Sequence, residues 1–586
     1  MKYGYQYKCK RGMTLIEVVF ATAILMLVFG ALFTGFQGMM TLIGSSKSQA
    51  GALSLANGKL EFIRSLQYDS IGTVRGIPDG LIPPLSTITL NGTVYTERTL
   101  IEYIDDPHDG LGASDSNGIV SDYKLVKVEY SWTYRGASKE ISLISNIIPN
   151  GIETTAGGGT LTVNVFDANV LPLSGAAVRV YNDSGTTTID TTRYTDATGI
   201  AMFSGAPALA NYQIFVTDTG FSTDQTYVAS SSNPNPVTPP VAVLVSTVST
   251  MNFQIDELSD LTVQTVGLPT IGSFEDLFDD STLIATSTQV SVTGGAVTLQ
   301  GAPGSYSPLG TVFSSEIAPG TLASWDTVSY QATIPIDTDV VVRVYDRTGT
   351  TSPVLISDSD LPGNSTGFAP GTINITGLDV GTYQEIALGA TLSSSNVATT
   401  SALSEWSVTY TTAEPILANI PFTLTSTKRI GTDAGGQPVP KYQNSFSTNG
   451  SGVRAITDLE WDVYDVQVTD ASYDVAEACS DIPFALSPGV DDTLKLTLTA
   501  ASANSLRVRV IDSSGTEVPN ATVNLSHGGY DATQETSVCG QTFFNSGVSS
   551  ASDYTVSVEA PGYVDQSITE VSIAGAQSII VTLVSS

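Results

Sequence analysis

An apolar run near the amino terminus sets the strongest constraint on how this 586-residue chain folds. It extends from Met13 to Phe36 and contains one charged residue. A helix of that length crosses a bilayer core of about 30 Å. The segment in front of it is short and basic, with Lys2, Lys8, Lys10 and Arg11. Positive flanks stay in the cytoplasm, so we expect everything after the helix to lie outside.

The charged residue of the run, Glu17, needs an explanation. A carboxylate at the centre of a membrane helix costs about 2.5–3.5 kcal/mol on insertion scales, so it is a functional hypothesis by default. A cleaved secretory signal has a shorter apolar core, followed by small residues at the cleavage site. Here Gly12 stands in front of the run. The alternative is a plain signal anchor with a stray glutamate.

The residues around this glutamate resemble the amino terminus of type IV prepilins and of type II secretion pseudopilins, and read Lys10-Arg11-Gly12-Met13-Thr14-Leu15-Ile16-Glu17. The resemblance implies that a membrane aspartyl peptidase, the prepilin peptidase, cuts between Gly12 and Met13, and that Met13 is then N-methylated. It also implies that Glu17, the fifth mature residue, pairs with the positive terminus of a neighbouring subunit. The family more often has phenylalanine at the position of Met13.

We expect the helix to continue from Met13 to Leu66, a span of roughly 80 Å. Beyond the membrane segment, apolar residues recur at spacings of three and four, at Leu53, Ala56, Leu60, Ile63 and Leu66. The helix also contains glycines, at Gly30, Gly35, Gly38, Gly44, Gly51 and Gly58. Glycines lower intrinsic helicity and let other helices approach closely, which suits a filament core. The alternative is that they are weak spots without a purpose.

Residues 67–150 are predicted to form a β-rich head on this helix. Asn91-Gly92 lies between two β-prone segments and indicates a two-residue hairpin turn. A later segment alternates apolar and polar residues, and so buries one face, through Val126, Val128, Tyr130, Trp132 and Tyr134. The turn at Arg135-Gly136 then leads to a partner strand. The segment resembles the heads of minor pilins.

An acidic loop interrupts the predicted head, with carboxylates at Asp105, Asp106, Asp109, Asp115 and Asp122. Clustered carboxylates suit a hard cation such as Ca²⁺. Their spacing does not match the twelve-residue calcium loop. Two readings stay open, a structural Ca²⁺ site and a solvated acidic loop, and no other cofactor is expected.

Downstream of a glycine-rich linker at 152–159, the sequence repeats. The segment Leu161–Asp167 superposes without gaps on Leu506–Asp512, at an offset of 345 residues. A third, diverged copy lies between them, and each copy carries a tyrosine nine residues before another aromatic, at Tyr212, Tyr464 and Tyr554. The units resemble carboxypeptidase regulatory-like (prealbumin-like) β-sandwiches, over 155–255, 413–500 and 501–586. The resemblance implies a scaffold and no activity.

Residues 256–412 do not follow the repeat and are predicted to form a jelly-roll-like β-sandwich, similar to carbohydrate-binding modules. Trp325 and Trp406 lie beside strand patterns there, either in the core or exposed for stacking on sugars. Gly363-Asn-Ser365-Thr-Gly367 spells the hydrolase motif G-x-S-x-G. Because no histidine lies in this segment, we expect a turn and no enzyme activity.

Two cysteines remain after the predicted cleavage, Cys479 and Cys539. A pair in an exported chain predicts one disulfide, which would join the sandwich predicted at 413–500 to the one predicted at 501–586. Free buried thiols are the alternative.

The net charge of the chain argues against nucleic acid as a partner. The chain carries 57 Asp and Glu against 24 Lys and Arg, a net charge of −33, and removal of the four leader bases makes it −37 (−33 minus 4). Such a surface cannot neutralise many phosphates, so nucleic acid is not an expected partner. A DNA-uptake pilin is disfavoured for the same reason.

The sequence therefore predicts a mainly β protein with one long N-terminal α-helix: a pilin-like helix and β head, followed by a string of antiparallel β-sandwich domains. It would be a single-pass cytoplasmic membrane protein before assembly and part of an extracellular filament afterwards. We expect a minor, low-copy pilin at or near the tip, which contacts other pilins through the helix and a surface glycan or protein through its distal domains. The alternative is a large type II secretion pseudopilin that contacts cargo.

Overall fold

The computed structural model describes residues 14–106, 122–149, 158–479 and 481–586. It begins with one 50-residue helix, α1 (Leu15–Arg64), close to the predicted span, and is otherwise built from β-strands. The predicted mainly β fold with one long N-terminal helix is confirmed.

The head packs an antiparallel meander against the second half of α1. After a short 3-10 turn at Tyr68–Ser70, its strands are β1 (Leu85–Leu90), β2 (Thr93–Ile104), β3 (Tyr123–Tyr134) and β4 (Ala137–Ile147). The two predicted turns join β1 to β2 and β3 to β4. Asn91-Gly92 and Arg135-Gly136 all have positive φ, as a two-residue hairpin turn requires. On β3, Val126, Val128, Tyr130 and Trp132 are buried as the alternation predicts, and Tyr134 is half-buried.

The first sandwich follows the head. Its strands are β5 (Gly158–Phe166), β6 (Ala177–Asn182), β7 (Ile189–Tyr194), β8 (Ile200–Pro207), β9 (Gln213–Thr217), β10 (Asp224–Gln225), β11 (Asn235–Pro236) and β12 (Val248–Gln254). One sheet has the order β12-β5-β8 and the other β10-β9-β6-β7. The first strand, β5, runs parallel to the last, β12.

The next strand, β13 (Ser259–Gly267), is followed by an inserted domain. This domain consists of β14 (Ile271–Asp276), β15 (Ile284–Thr288), β16 (Val290–Val292), β17 (Val297–Leu299), β18 (Leu309–Ser314), β19 (Leu322–Thr333), β20 (Thr338–Asp346), β21 (Val354–Leu355), β22 (Gly371–Asn374), β23 (Ile386–Ser394) and β24 (Ala402–Thr412). Sheets of six and five strands enclose one core, as in a jelly-roll-like sandwich. Trp325 and Trp406 are both fully buried in that core, so neither is available to stack on a sugar.

The chain then completes the second sandwich with β25 (Pro421–Ser426), β26 (Arg429–Thr432), β27 (Pro438–Pro440), β28 (Gln443–Ser447), β29 (Val453–Leu459), β30 (Asp462–Val468), β31 (Tyr473–Cys479), β32 (Phe484–Leu486) and β33 (Asp492–Ala500). The third sandwich consists of β34 (Ser505–Asp512), β35 (Thr522–His527), β36 (Tyr530–Glu535), β37 (Gln541–Phe544), β38 (Ala551–Glu559), β39 (Tyr563–Val564), β40 (Gln566–Ile573) and β41 (Ala576–Ser585).

The position of β13 corrects the predicted domain boundaries at 256–412 and 413–500. β13 lies inside the sheet β29-β13-β33-β31, where it pairs in parallel with β33 and antiparallel with β29. Leu261 and Val263 are fully buried in that core. The second sandwich therefore begins at Ser259, and residues 271–412 are inserted after its first strand. A signal was present in the sequence, since Leu261-Thr-Val263 repeats Leu161-Thr-Val163.

The three sandwiches share one topology. In each, the first strand runs parallel to the last, as in the pairs β5 with β12, β13 with β33, and β34 with β41. The repeated tyrosine is buried in each sandwich, and its hydroxyl donates to a backbone carbonyl four or five residues earlier. The acceptors are Pro207 O for Tyr212, Glu460 O for Tyr464 and Ser549 O for Tyr554, at 2.6–3.0 Å. This local hydrogen bond resembles a tyrosine corner and accounts for the repeated tyrosine.

Specific bonds connect each sandwich to its neighbour. Strand β11 of the first sandwich pairs with β26 of the second, and Lys441 Nζ donates to Thr223 O at 2.6 Å. Between the second and third sandwiches, a disulfide joins Cys479 to Cys539, with Cα atoms 5.5 Å apart. Beside it, the Gln541 side-chain amide bonds both the N–H and the carbonyl of Ala478. The predicted cysteine pair therefore lies at the junction where the sequence analysis placed it.

The insertion predicts a specific outcome for truncation. Its two ends lie together, because Gly267 N donates to Pro415 O at 2.7 Å and Thr412 N donates to Thr270 O at 2.9 Å. Replacing residues 269–413 with a short Gly-Ser linker should leave the second sandwich folded, as insertions at closely spaced ends generally allow. A fragment that starts at 413 should fail to form this sandwich, because it lacks β13. Circular dichroism melting of both variants tests this topology, because a contiguous domain at 413–500 would fold in both of them.

Candidate functional site: the N-terminal helix

The helix begins at a capped terminus next to Glu17. Thr14 is the N-cap, and Glu17 N donates to Thr14 Oγ1 at 3.4 Å. In return, Glu17 Oε2 accepts from Thr14 N at 2.9 Å and from Thr14 Oγ1 at 3.0 Å. This is a capping box, which satisfies donors that the helix start leaves unpaired. Gly12 and Met13 lie outside the described residues, so the cleavage and methylation assigned to them stay predictions.

The capping box places an exposed carboxylate at the amino-terminal end of the helix. Glu17 sits one turn after the position at which a cut between Gly12 and Met13 would leave a free amine. Its acceptor oxygen faces a backbone N–H one residue beyond that amine. Because Met13 lies outside the described residues, the pairing of Glu17 with a positive amino terminus stays a prediction.

The apolar side chains in the first half of α1 are not covered by any other described part of the chain. Every residue from 14 to 40 is exposed, and the most apolar window has a mean hydropathy of 2.5, with none of it buried. The exposed side chains include Phe20, Phe29, Phe33 and Phe36. Burying one such side chain is worth about 1.5–3 kcal/mol, so this surface requires lipid or other apolar helices around it.

The second half of α1 packs on the head through small residues. Ser48, Ala52, Ala56, Leu60 and Ile63 are buried, at spacings of four and three. The predicted stripe was correct at Ala56, Leu60 and Ile63 but wrong at Leu53, which is 41% exposed. Ala52 takes its place, because small residues allow the sheet to approach the helix closely.

Two of the glycines also allow the sheet to approach the helix closely. A Cβ on Gly44 would lie 2.0 Å from the Tyr134 hydroxyl, and one on Gly51 would lie 2.9 Å from the Tyr95 hydroxyl. Gly30, Gly35 and Gly38 have open space around them instead. These three lie in the exposed apolar half, where the space is available to another helix.

Polar contacts also attach the helix to the sheet. Lys59 Nζ lies 2.6 Å from Glu97 Oε1, and Tyr130 donates to Glu97 Oε2 at 2.5 Å. Glu97 is almost fully buried. Burial and this carboxylate both raise the pKa of Tyr130. At Ser48, the Tyr95 hydroxyl donates to the backbone carbonyl and Trp132 Nε1 donates to Oγ. These contacts fix the second half of α1 against the head.

A buried lysine lies near the acidic loop and was not singled out from the sequence. Lys124 Nζ donates to Tyr68 O and Ile71 O, each at 2.7 Å, and burial lowers its pKa to about 8. The sequence did contain a signal for its burial, because Lys124 lies two residues before Val126 and therefore on the same inward face of β3. This ammonium ties the start of β3 to the turn that follows α1.

The predicted calcium ligands are described only in part. Asp105, Asp106 and Asp122 flank the loop, and Asp106 N donates to an Asp122 carboxylate oxygen. Asp109 and Asp115 lie outside the described residues. The structure therefore joins the two ends of the loop, and Ca²⁺ binding stays a prediction.

A family model for the prokaryotic N-terminal methylation motif matches residues 7–33. The match covers the predicted cleavage site, Glu17 and most of the apolar run, and it confirms the expected prepilin-like amino terminus. No curated protein sequence matches the chain.

Several solved structures are similar to this chain at low identity. The Bacillus anthracis TIE protein is 12% identical over 86% of this chain and 73% of that one, with a TM-score of 0.16. The major pilin subunit of Bacillus cereus is 10% identical over 73% and 99%, with a TM-score of 0.13. The minor pilin of Streptococcus agalactiae is 13% identical over 30% and 86%, with a TM-score of 0.12. TM-scores this low carry no functional argument, which rests on the motif and the helix.

The attachment of the helix to the head can be tested at Glu97. Glu97→Gln keeps the hydrogen bond with Tyr130 but removes the charge partner of Lys59, and should destabilise the head by about 2–3 kcal/mol. The double variant Lys59→Met, Glu97→Gln should recover most of that loss. Urea unfolding of a chain that begins at Ser45 measures the effect.

The control for this prediction is Lys127→Met. Its ion pair with Glu129 involves a lysine side chain that is 37% exposed, and its loss should cost less than about 1 kcal/mol. Equal effects of Glu97→Gln and Lys127→Met would contradict the assigned role of Glu97.

Proposed function

We propose that this chain is a structural subunit of a type IV pilus-like filament, cut by a prepilin peptidase between Gly12 and Met13 and assembled through α1. The observation that carries the proposal is the exposed apolar half of α1, most of which lies within the methylation motif matched at residues 7–33. A helix of this kind inserts in the cytoplasmic membrane first. In a filament, neighbouring helices then replace the lipid.

Glu17 supplies the specific part of this assembly step. A charged acid in an apolar helix bundle is costly, and a positive group that neutralises it removes most of that cost. The amine released at Met13 of a neighbouring subunit has the required charge. Ordered pairing of acid and amine would set the axial position of each new subunit.

We further propose that the subunit is present in few copies, at or near the filament tip. Residues 158–586 add three sandwiches and an inserted domain to one small head. Repeating this bulk on every subunit would crowd a helical lattice, whereas a terminal subunit has free space around it. The distal domains would then present an interaction surface, and the chain would have no enzymatic role.

The processing and assembly steps can be separated experimentally. Mass spectrometry should find a mature chain that begins at N-methylated Met13. Glu17→Gln should still be cut, but its incorporation into sheared filaments should fall by about tenfold or more, because one buried charge pair is lost. Glu61→Gln is the matched control, since Glu61 is an exposed acid on the same helix.

Two results would contradict this assignment. Normal incorporation of Glu17→Gln would remove the assembly role of the acid. A mature chain that still carries residues 1–12 would exclude processing, and what remained would be an anchored string of β-domains.

The copy number is tested by immunogold labelling with an antibody against the third sandwich. We expect label at one filament end, or sparse label. Even decoration along whole filaments would overturn the low-copy assignment. The alternative role, a large pseudopilin that contacts secreted cargo, predicts loss of secretion on deletion without loss of surface filaments.

A further inference from the structure

A cleft of about 530 Å³ lies between the second and third sandwiches. Its walls come from β30 and β31 on one side and from β34, β37 and β41 on the other. The Cys479–Cys539 disulfide and the Gln541–Ala478 bonds hold these two sides together. The volume falls within the range of small-molecule sites. The junction therefore provides a preformed cavity.

One wall of the cleft carries a buried arginine. Along β34, Leu506 and Val508 point into the core of the third sandwich, so Arg507 points to the opposite face. Its cross-strand partners on that face are Phe543 and Ser578. Arg507 is only 9% exposed, and β31 of the second sandwich packs against its strand.

The charge of Arg507 is incompletely compensated. Its Nε donates to Ser578 Oγ at 3.3 Å, and its Nη1 has no hydrogen-bond partner among the residues that the structure describes. The Asp481 carboxylate attracts Arg507 from a distance, but its direct ion pair, at 2.7 Å, is with Arg509. Burial accordingly lowers the pKa of Arg507. A buried guanidinium with an unused donor costs stability unless something else binds it.

The other walls suit a sugar ring. Phe543 and Tyr473 are half-buried and contribute aromatic surface. Asp465, Gln467 and Gln577 are exposed polar side chains that can bond hydroxyl groups.

The second carboxylate of the cleft is already engaged. Asp474 Oδ2 accepts from Ser502 N, Ser502 Oγ and Ser505 Oγ, at 3.0–3.1 Å. These bonds offset its repulsion of an anionic ligand. Arg507 is the one cationic side chain that lines the cleft within the described residues.

We propose that this cleft binds an acidic saccharide, with the sugar carboxylate on Arg507 and the ring against Phe543 or Tyr473. A carboxylate accepts charge-assisted hydrogen bonds from a guanidinium. The aromatic surface and hydroxyl-bonding groups favour a sugar over an acidic peptide. The site would supply the interaction surface of the proposed function, and it rests on that function only for its exposure outside the cell.

The test uses the full chain in detergent and ligand-observed NMR saturation transfer. Galacturonate should give a signal that acetate does not displace at equal concentration, and galactose should give none. Arg507→Met should weaken galacturonate binding by about tenfold or more, since it removes a charged hydrogen-bond donor. The matched control is Arg454→Met, because Arg454 is an exposed arginine of the second sandwich outside the cleft.

Thermal melting distinguishes a ligand site from a structural arginine. Arg507→Met should not lower Tm, because it removes a buried charge that lacks a full set of partners. A lower Tm, with galacturonate binding intact in the folded fraction, would overturn the proposal. Ser578→Tyr provides a second variant at an exposed position, and it should block the cleft without unfolding the sandwich.

The remaining outcomes are also decisive. Binding of a glutamate-rich peptide without binding of galacturonate would overturn the saccharide assignment, and so would equal binding of galactose. Because binding is measured on unassembled chains, its absence leaves the filament proposal intact. Failure of Glu17→Gln to alter assembly would likewise leave the cleft intact.

Discussion

The exposed apolar half of α1 is the constraint on which the rest of the molecule depends. A surface with a mean hydropathy of 2.5 over its most apolar window is not stable in water. Two environments can cover this apolar surface: a bilayer and a bundle of similar helices. Glu17 tolerates either environment only with a hydrogen-bonding or charged partner, and within the chain that partner is Thr14. Leaving the membrane therefore requires a replacement for lipid, which a filament core provides.

Attachment of α1 to the head determines where the rest of the chain lies. The Lys59–Glu97–Tyr130 contacts fix the helix against the sheet. Arg193 of the first sandwich then lies 3.3 Å from Glu102 of the head. Paired strands and the disulfide continue this series of contacts to the third sandwich. Each of these junctions therefore carries at least one directional bond.

Sequence patterns predicted the elements whose signals are local. The helix, the turns at Asn91-Gly92 and Arg135-Gly136, and the repeated tyrosines all depend on residues close in the chain. The insertion was missed because β13 pairs with β33, whose residues lie more than 200 positions later. The burial of Arg507 could not be predicted either, since strand alternation places it outward and the strand that packs against β34 belongs to the neighbouring sandwich. The sequence pointed to Glu17 directly, because a charge in an apolar run is visible without a fold.

The topology of the insertion sets the inserted domain apart from the three connected sandwiches. Both connections of the inserted domain leave the second sandwich at one point, near Gly267 and Pro415. The third sandwich is linked to the second by the disulfide at β31 and by the chain between β33 and β34. Both β31 and β33 belong to the sheet that contains β13, which follows the first sandwich. The inserted domain is outside this set of connections, whereas the cleft beside Arg507 lies next to the disulfide and is held by it.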